Sequence, residues 1–276
     1  MFYICSHSTF RGRSYINTMP YRKLFPEFYD SENTLQICGG VSEGACLDKT
    51  FNVLVWNVYK GRMRGWENDF RSLIEGKHII MLQESVLNTR YDPIFHMAER
   101  FEWVMAKTYG HTDTKMTTGV KTGAVVKSSA QGFYMSEDVE PLFRTPKMIL
   151  ATTYPIKGSE QPLLVVNMHA INFVSYEKFS RHLAKVVTAI ENHEGPVILA
   201  GDFNTWSALR YKSLQDVAEQ MGLTEVKLAK RRTRLTHFNR HLDHLFFKGL
   251  EMVNAEMLTN IITSDHFPIT AEFKVL

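Results

Sequence analysis

The polar residues that could do chemistry recur in this chain at the ends of apolar runs. Residues 196–204 read Pro-Val-Ile-Leu-Ala-Gly-Asp-Phe-Asn. The aliphatic run, bounded by Pro and Gly, predicts a short strand buried on both faces. Asp202 and Asn204 lie two apart and so point to one side of an extended backbone. A carboxylate acceptor and an amide donor would then share a pocket at a strand end, where open α/β sheets hold ligands. Gly, Asp and Asn are also ordinary turn residues, and this stretch alone leaves a polar turn equally open. Other runs end alike: Asn57 after 51–56, Glu84 after 79–82, His169 after 162–168, and Asp265-His266 before the last strand. Asp243, beside a further run, is available to orient a histidine. An unpaired carboxylate behind four apolar residues is costly to desolvate, which argues for a role at Glu84. A lone histidine such as His169 fits a satisfied core position as well as a functional one.

Positioning these ends takes a mixed α/β framework. Segment 51–58 is β-branched and aromatic, a strand, and 59–62 is a loop with two cations. Trp66, Phe70, Leu73 and Ile74 recur at helical spacing, with Gly76 as the stop. With the strand at 79–82 this makes a β-α-β unit whose parallel strands feed one pocket. The pattern then predicts a helix from Pro93, a strand at 101–106, a strand start with loop character at 117–123, and strands at 124–126, 148–154 and 163–167. A helix over 175–194 carries Phe179, Leu183, Val186 and Ile190 on one face. Ser207 can cap another, with Leu214, Val217, Ala218 and Met221 inward. Strands at 242–247 and up to Phe273 close the chain. So many strands among few helices point to large mixed sheets. Residues 1–49 are weakly periodic and read as an N-terminal extension packed on or loosely attached to a core domain at 50–276.

Composition narrows the classes. A formal net charge of +3 permits an anionic substrate and is too weak to argue nucleic acid by itself. The cysteines, Cys5, Cys38 and Cys46, are odd in number and sparse, which favours a reducing, cytoplasmic compartment over a disulfide framework. No apolar stretch approaches transmembrane length, so no membrane span is expected. His237, His241 and His244 have strand-like flanks and no accompanying cysteine, which sets zinc aside. The basic run at 227–234 fits a solvated loop or a phosphate-contacting one.

In chain order, Trp56-Asn57, Gln83-Glu84, Asn167-Met168-His169, Gly201-Asp202-Phe203-Asn204 and Ser264-Asp265-His266-Phe267-Pro268 resemble the motifs of the endonuclease/exonuclease/phosphatase superfamily, which has the fold of DNase I. The likeness extends from about Phe51 to Phe273. Residues 55–60, 169–173 and 201–207 resemble the bacterial YafD-like branch more narrowly. The resemblance implies a four-layer α/β sandwich, two mixed β-sheets face to face flanked by helices, and metal-dependent hydrolysis of phosphate esters. It implies that Glu84, with Asn57 and Asp265, holds Mg²⁺ or Mn²⁺. Asp202 would orient or deprotonate the attacking water, and Asn204 would donate to the phosphoryl oxygens. His266, held by Asp243, would be a base or a charged donor, with His169 across the scissile phosphate as donor or acid. Tyr59 stands where abasic-site endonucleases carry Asp, and they lack a histidine at the place of His169. Both departures move the chain toward the DNase I, sphingomyelinase and inositol-phosphatase side.

The expected activity is therefore that of a phosphodiesterase on DNA or RNA, with Lys60 and the cluster Arg231, Arg232 and Arg234 on backbone phosphates. The alternative is a phosphomonoesterase or phospholipase-type enzyme, with a closed pocket lined by Trp66, Trp206 or Asn172. A catalytically inactive binding module is a third reading. No obligate protein partner is evident.

Overall fold

Runs that are apolar without alternation become strands covered on both faces, and these carry the site. The structure, a computed structural model, describes residues 27–30, 32–40, 44–87, 94–95, 100–111, 116–142, 144–228 and 242–276. One eight-stranded sheet runs in the order β1 (Glu27–Phe28), β5 (Glu102–His111), β6 (Met116–Ala124), β4 (Ile79–Leu87), β3 (Thr50–Asn57), β14 (Ile269–Val275), β13 (Leu250–Met257), with β2 (Leu35–Gly39) also paired to β5. The second sheet has six: β11 (Thr224–Glu225), β12 (Asp243–Lys248), β10 (Val197–Asp202), β9 (Leu163–His169), β8 (Met148–Tyr154) and β7 (Ala130–Met135). Both sheets are mixed. The pair β3/β4, joined through helix α1 (Trp66–Ile74), is parallel, as is β9/β10, joined through α2 (Tyr176–Ile190).

The sheets pack face to face, and their strands alternate. On β10, Ile198 and Ala200 join Val53, Val55, Ile79 and Met81 of the first sheet in the inter-sheet core. Val197 and Leu199 turn the other way, onto Phe179 and Leu183 of α2 and Leu214 of α3 (Ala208–Gln220). On the first sheet, the ring of Trp66 on α1 stacks on Phe70 and packs beside Trp56. Ser207 caps α3 as its sequence predicts, accepting from Arg210 N at 3.2 Å. Among the described residues, no helix is long and apolar enough to cross a membrane.

Several expectations change. Segment 117–123 is the body of one continuous strand, and Val125 and Val126 lie in a bend beyond its end. Its glycines look like turn signals, yet Gly119 is needed because a Cβ there would meet Ala106 O at 2.1 Å. Helix α2 stops at Ile190, short of Glu194. Of the segment expected to be helical from Pro93 to Arg100, Ile94, Phe95 and Arg100 fall among the described residues; the first two are helical and Arg100 is in a turn. Strands β7 and β13 were not anticipated. Ahead of residue 50, β2 pairs with β5 of the first sheet and Leu47 lies in the core.

Candidate active site

The seam between the two sheets brings the strand-end residues together. Asn57, closing β3, donates from Nδ2 to Asp202 Oδ2 at 3.0 Å, a hydrogen bond from one sheet to the other. Below it, Gln83 Nε2 donates to Asn167 Oδ1 at 2.7 Å, and Asn167 Nδ2 donates to Lys121 O at 3.0 Å. All four side chains are buried, so these amides must find partners there. Alternation after Ile79 and Met81 puts Gln83 in the seam, and a shift in pairing register between Leu82 and Ser85 accompanies the turn of Glu84, at φ +51°, toward the cleft. Non-glycine residues with positive φ cluster here: Tyr59, Lys60, Glu84, Phe173 and Asn204. Strain of this kind persists where the surroundings over-determine it, as functional sites do.

Asp202 is the hub. It pairs with His169 across β9/β10, and its Oδ2 lies 3.6 Å from His169 Nε2 and 3.7 Å from His266 Nε2. Its Oδ1 accepts from Asn204 N at 3.0 Å. The carboxyl stands at about 6, lifted by burial and by Asp243 against the opposing pull of His266 and of the Asn204 and Asn57 hydrogen bonds. His266 Nδ1 lies 2.7 Å from Asp243 Oδ2. Burial alone would depress this imidazole, but the Asp243 and Asp202 carboxylates outweigh it and raise it to about 10. Ser264 fixes the approach, donating to Asn57 O at 2.6 Å while Trp56 Nε1 donates to His266 O at 3.0 Å. His169 goes the opposite way: burial, then Lys147, His266 and Lys60, hold it well below the ordinary imidazole range. Its nearest carboxylate is that of Asp202.

The site thus gathers Asn57, Lys60, Glu84, His169, Asn172, Asp202, Asn204, Trp206, Asp243, Asp265 and His266. Asn172 bridges, donating to Asn204 Oδ1 at 2.7 Å and accepting from Trp206 Nε1 at 3.0 Å. Trp66 does not line the pocket: it opens α1 with its ring buried against Phe70 and Trp56. Arg231, Arg232 and Arg234, with His237 and His241, lie outside the described residues. Sequence reasoning missed Glu140 and Lys147, an ion pair at 3.4 Å whose carboxylate also accepts from Asn172 N at 2.9 Å. It also missed Arg210, whose guanidinium donates to the carbonyls of Ile171, Asn204 and Val174 and lies over the Trp206 ring. A cation on the inner face of α3 was the available signal.

Two groupings could be read as cation sites. Single atoms of Asp202, Asp243 and His266 lie within 4.8 Å of one another. In that group Asp243 Oδ2 is taken up by His266, whose positive charge repels a cation, although Asp243 Oδ1 is buried without a hydrogen-bond partner among the described residues. Glu84 and Asp265 fit a divalent ion better. Glu84 Oε2 is buried without a hydrogen-bond partner among the described residues, met by Lys60 Nζ at 3.3 Å. The Asp265 carboxyl is raised by burial, drawn back by His266 and pushed up again by the charge of Glu84, a repulsion that a hard cation would relieve.

Comparison with known proteins agrees with this architecture. A "UPF0294 protein" of Erwinia tasmaniensis is 32% identical over 266 residues, covering 95% of this chain and 94% of the relative. The crystal structure of an endonuclease/exonuclease/phosphatase from Beutenbergia cavernae superposes with a TM-score of 0.66 at 16% identity, covering 82% of this chain and 72% of that one. The mannosyl-6-phosphatase of Bacteroides thetaiotaomicron gives 0.62 at 13% identity, covering 81% and 99%. The family model described as "Endonuclease/Exonuclease/phosphatase family" matches residues 54–266. That span holds every strand end of the site, and the chain belongs to this family.

Proposed function

We propose that the chain is a divalent-metal-dependent phosphodiesterase that cleaves nucleic-acid phosphodiester bonds with an activated water, in the cytoplasm. The observation that carries this reading is one buried carboxylate, Asp202, set between two imidazoles of opposite character. Asp202, made less acidic than a free carboxyl, takes the proton of the attacking water. His266, kept charged by Asp243, donates to the phosphoryl oxygens as negative charge builds. His169 faces the same phosphate as a neutral donor, because its surroundings oppose protonation. One amide hydrogen of Asn204 goes to Ala170 O at 2.9 Å, leaving the other for a phosphoryl oxygen. Glu84 and Asp265, with Asn57, would hold Mg²⁺ or Mn²⁺, which when bound supplies positive charge against the phosphoryl group. Lys60 and the 231–234 cluster contact flanking phosphates.

A second reading, hydrolysis of a small phosphate monoester, has its own support in a recess walled by Lys60, Glu84, Thr108, Tyr109, Lys147 and His169. Parallel assays separate the two. Plasmid and single-stranded DNA, bis(p-nitrophenyl) phosphate and p-nitrophenyl phosphate are incubated with Mg²⁺, Mn²⁺ or EDTA. DNA and diester cleavage lost with EDTA, and in Asp202→Asn and His266→Gln, is the expected result. Monoester turnover alone transfers the assignment to the phosphatase. Activity surviving both substitutions, or none with any substrate, overturns it.

A further inference from the structure

Directly behind Asn204, on the face away from the cleft, lies a chain of four polar groups that the reaction does not touch. Thr205 is wholly buried, with Oγ1 2.8 Å from His244 Nε2. His244 Nδ1 lies 2.7 Å from Glu225 Oε1, and Tyr211 Oη donates to Glu225 Oε2 at 2.7 Å. The Tyr211 ring stacks on the imidazole at 5.3 Å, and Phe203 closes its edge at 5.9 Å. A carboxylate on Nδ1 selects the tautomer with its proton there, so Nε2 accepts and the Thr205 hydroxyl donates. A threonine with no exposure cannot serve as a nucleophile. The chain instead anchors the loop.

That loop needs anchoring. Asn204 sits in the left-handed region at φ +50°, a conformation a non-glycine residue keeps only when held on several sides. The cleft side is held by Asp202 Oδ1, Ala170 O and Asn172. The rear is held through Thr205. Strand β12 does two jobs with successive residues on opposite faces: Asp243 grips His266, and His244 grips the loop that follows Asp202.

We infer that Thr205, His244 and Glu225 are positioning residues that fix Asp202 and Asn204 against the reacting phosphate and so set the rate of the chemical step. This rests on the hydrolase reading above, and its test is chosen to stand apart from that reading. Thr205→Val keeps shape and removes the donor; Thr205→Ser keeps the donor. Thr205→Val should lower kcat by about 10- to 100-fold, the usual effect of losing an orienting outer partner, with KM within about 2-fold. Thr205→Ser should stay within about 3-fold, and Thr205→Val combined with Glu225→Gln should be no worse than Thr205→Val alone, since both act through one chain. Amide exchange over 200–206 should quicken in Thr205→Val and not in Thr205→Ser, while β9 and β12 stay protected. This second readout needs no substrate, so it decides the point even if no phosphate ester is turned over. Should Thr205→Val fail to fold, Glu225→Gln, at the partly exposed end, carries both measurements. Wild-type kcat and wild-type exchange in Thr205→Val would overturn the inference, and so would equal losses in Val and Ser.

Discussion

At the scale of single residues, the site works by setting neighbours apart in proton affinity. Asp202 and His266 are both raised and His169 is depressed, within one cluster. As the base proposed above, Asp202 would act in its deprotonated form, so the rate should fall as pH drops through the Asp202 pKa. Because burial has moved that value up to about 6, the acid limb of kcat/KM belongs about two units above the range of a free aspartate. Asp202→Asn should cost about 10²- to 10⁴-fold in kcat, the usual worth of a positioned base, and erase that limb. A limb unchanged in Asp202→Asn assigns the titration to another group. His266→Gln removes the charged donor and should lower kcat about 10²- to 10³-fold with little change in KM.

At the scale of elements, two features make testable demands. Gly201, at φ +139°, lets β10 lie against β9, and a Cβ there would meet Met168 O at 1.9 Å. Gly201→Ala should therefore cost about 3 kcal/mol in urea unfolding, the upper part of the overpacking range. On α2, His182 is buried, accepts from Ile171 N at 3.1 Å and has its imidazole pushed down to about 3 by burial, with Lys185 and Lys147 adding. A depressed folded value means that its stabilisation is present above pH 6.5 and is lost as pH falls toward 3. Linkage puts the total on the order of 5 kcal/mol, and His182→Gln should flatten the acid loss of stability measured by urea unfolding at stepped pH. The same elements explain what could be read from the chain. Strands β3, β4, β9 and β10 announce themselves because burial on both faces demands unbroken aliphatic runs, and their polar ends mark the cleft. Strand β13 hid because it is an edge strand: Glu251, Met252, Val253 and Asn254 are exposed and a bulge breaks its pairing. Strand β6 hid because Gly119 and Gly123 serve close approach, to Ala106 O and to the Trp103 ring, in a composition that otherwise signals turns. Glu140 and Lys147 were illegible because their meaning lies in contacts with a loop some 30 positions away, which no local pattern encodes.

At the scale of the whole molecule, the chain builds most of one sheet first, then the second, and returns to the first with β13 and β14. Asn57, Lys60 and Glu84 come from the opening pass. His169, Asp202, Asn204 and Asp243 come from the middle one, and Asp265 and His266 stand just before the closing strand. The hydrogen bonds Asn57–Asp202 and Gln83–Asn167 are then the fasteners between separately woven sheets. Such a molecule is a natural two-piece device. Cut at residue 127, before β7, it yields halves that each hold only some of the candidate site residues, and the phosphodiester turnover proposed above would become a signal that the halves have met. Mixed halves should recover activity in proportion to the complex formed, measured beside size-exclusion chromatography, and either half alone should give none.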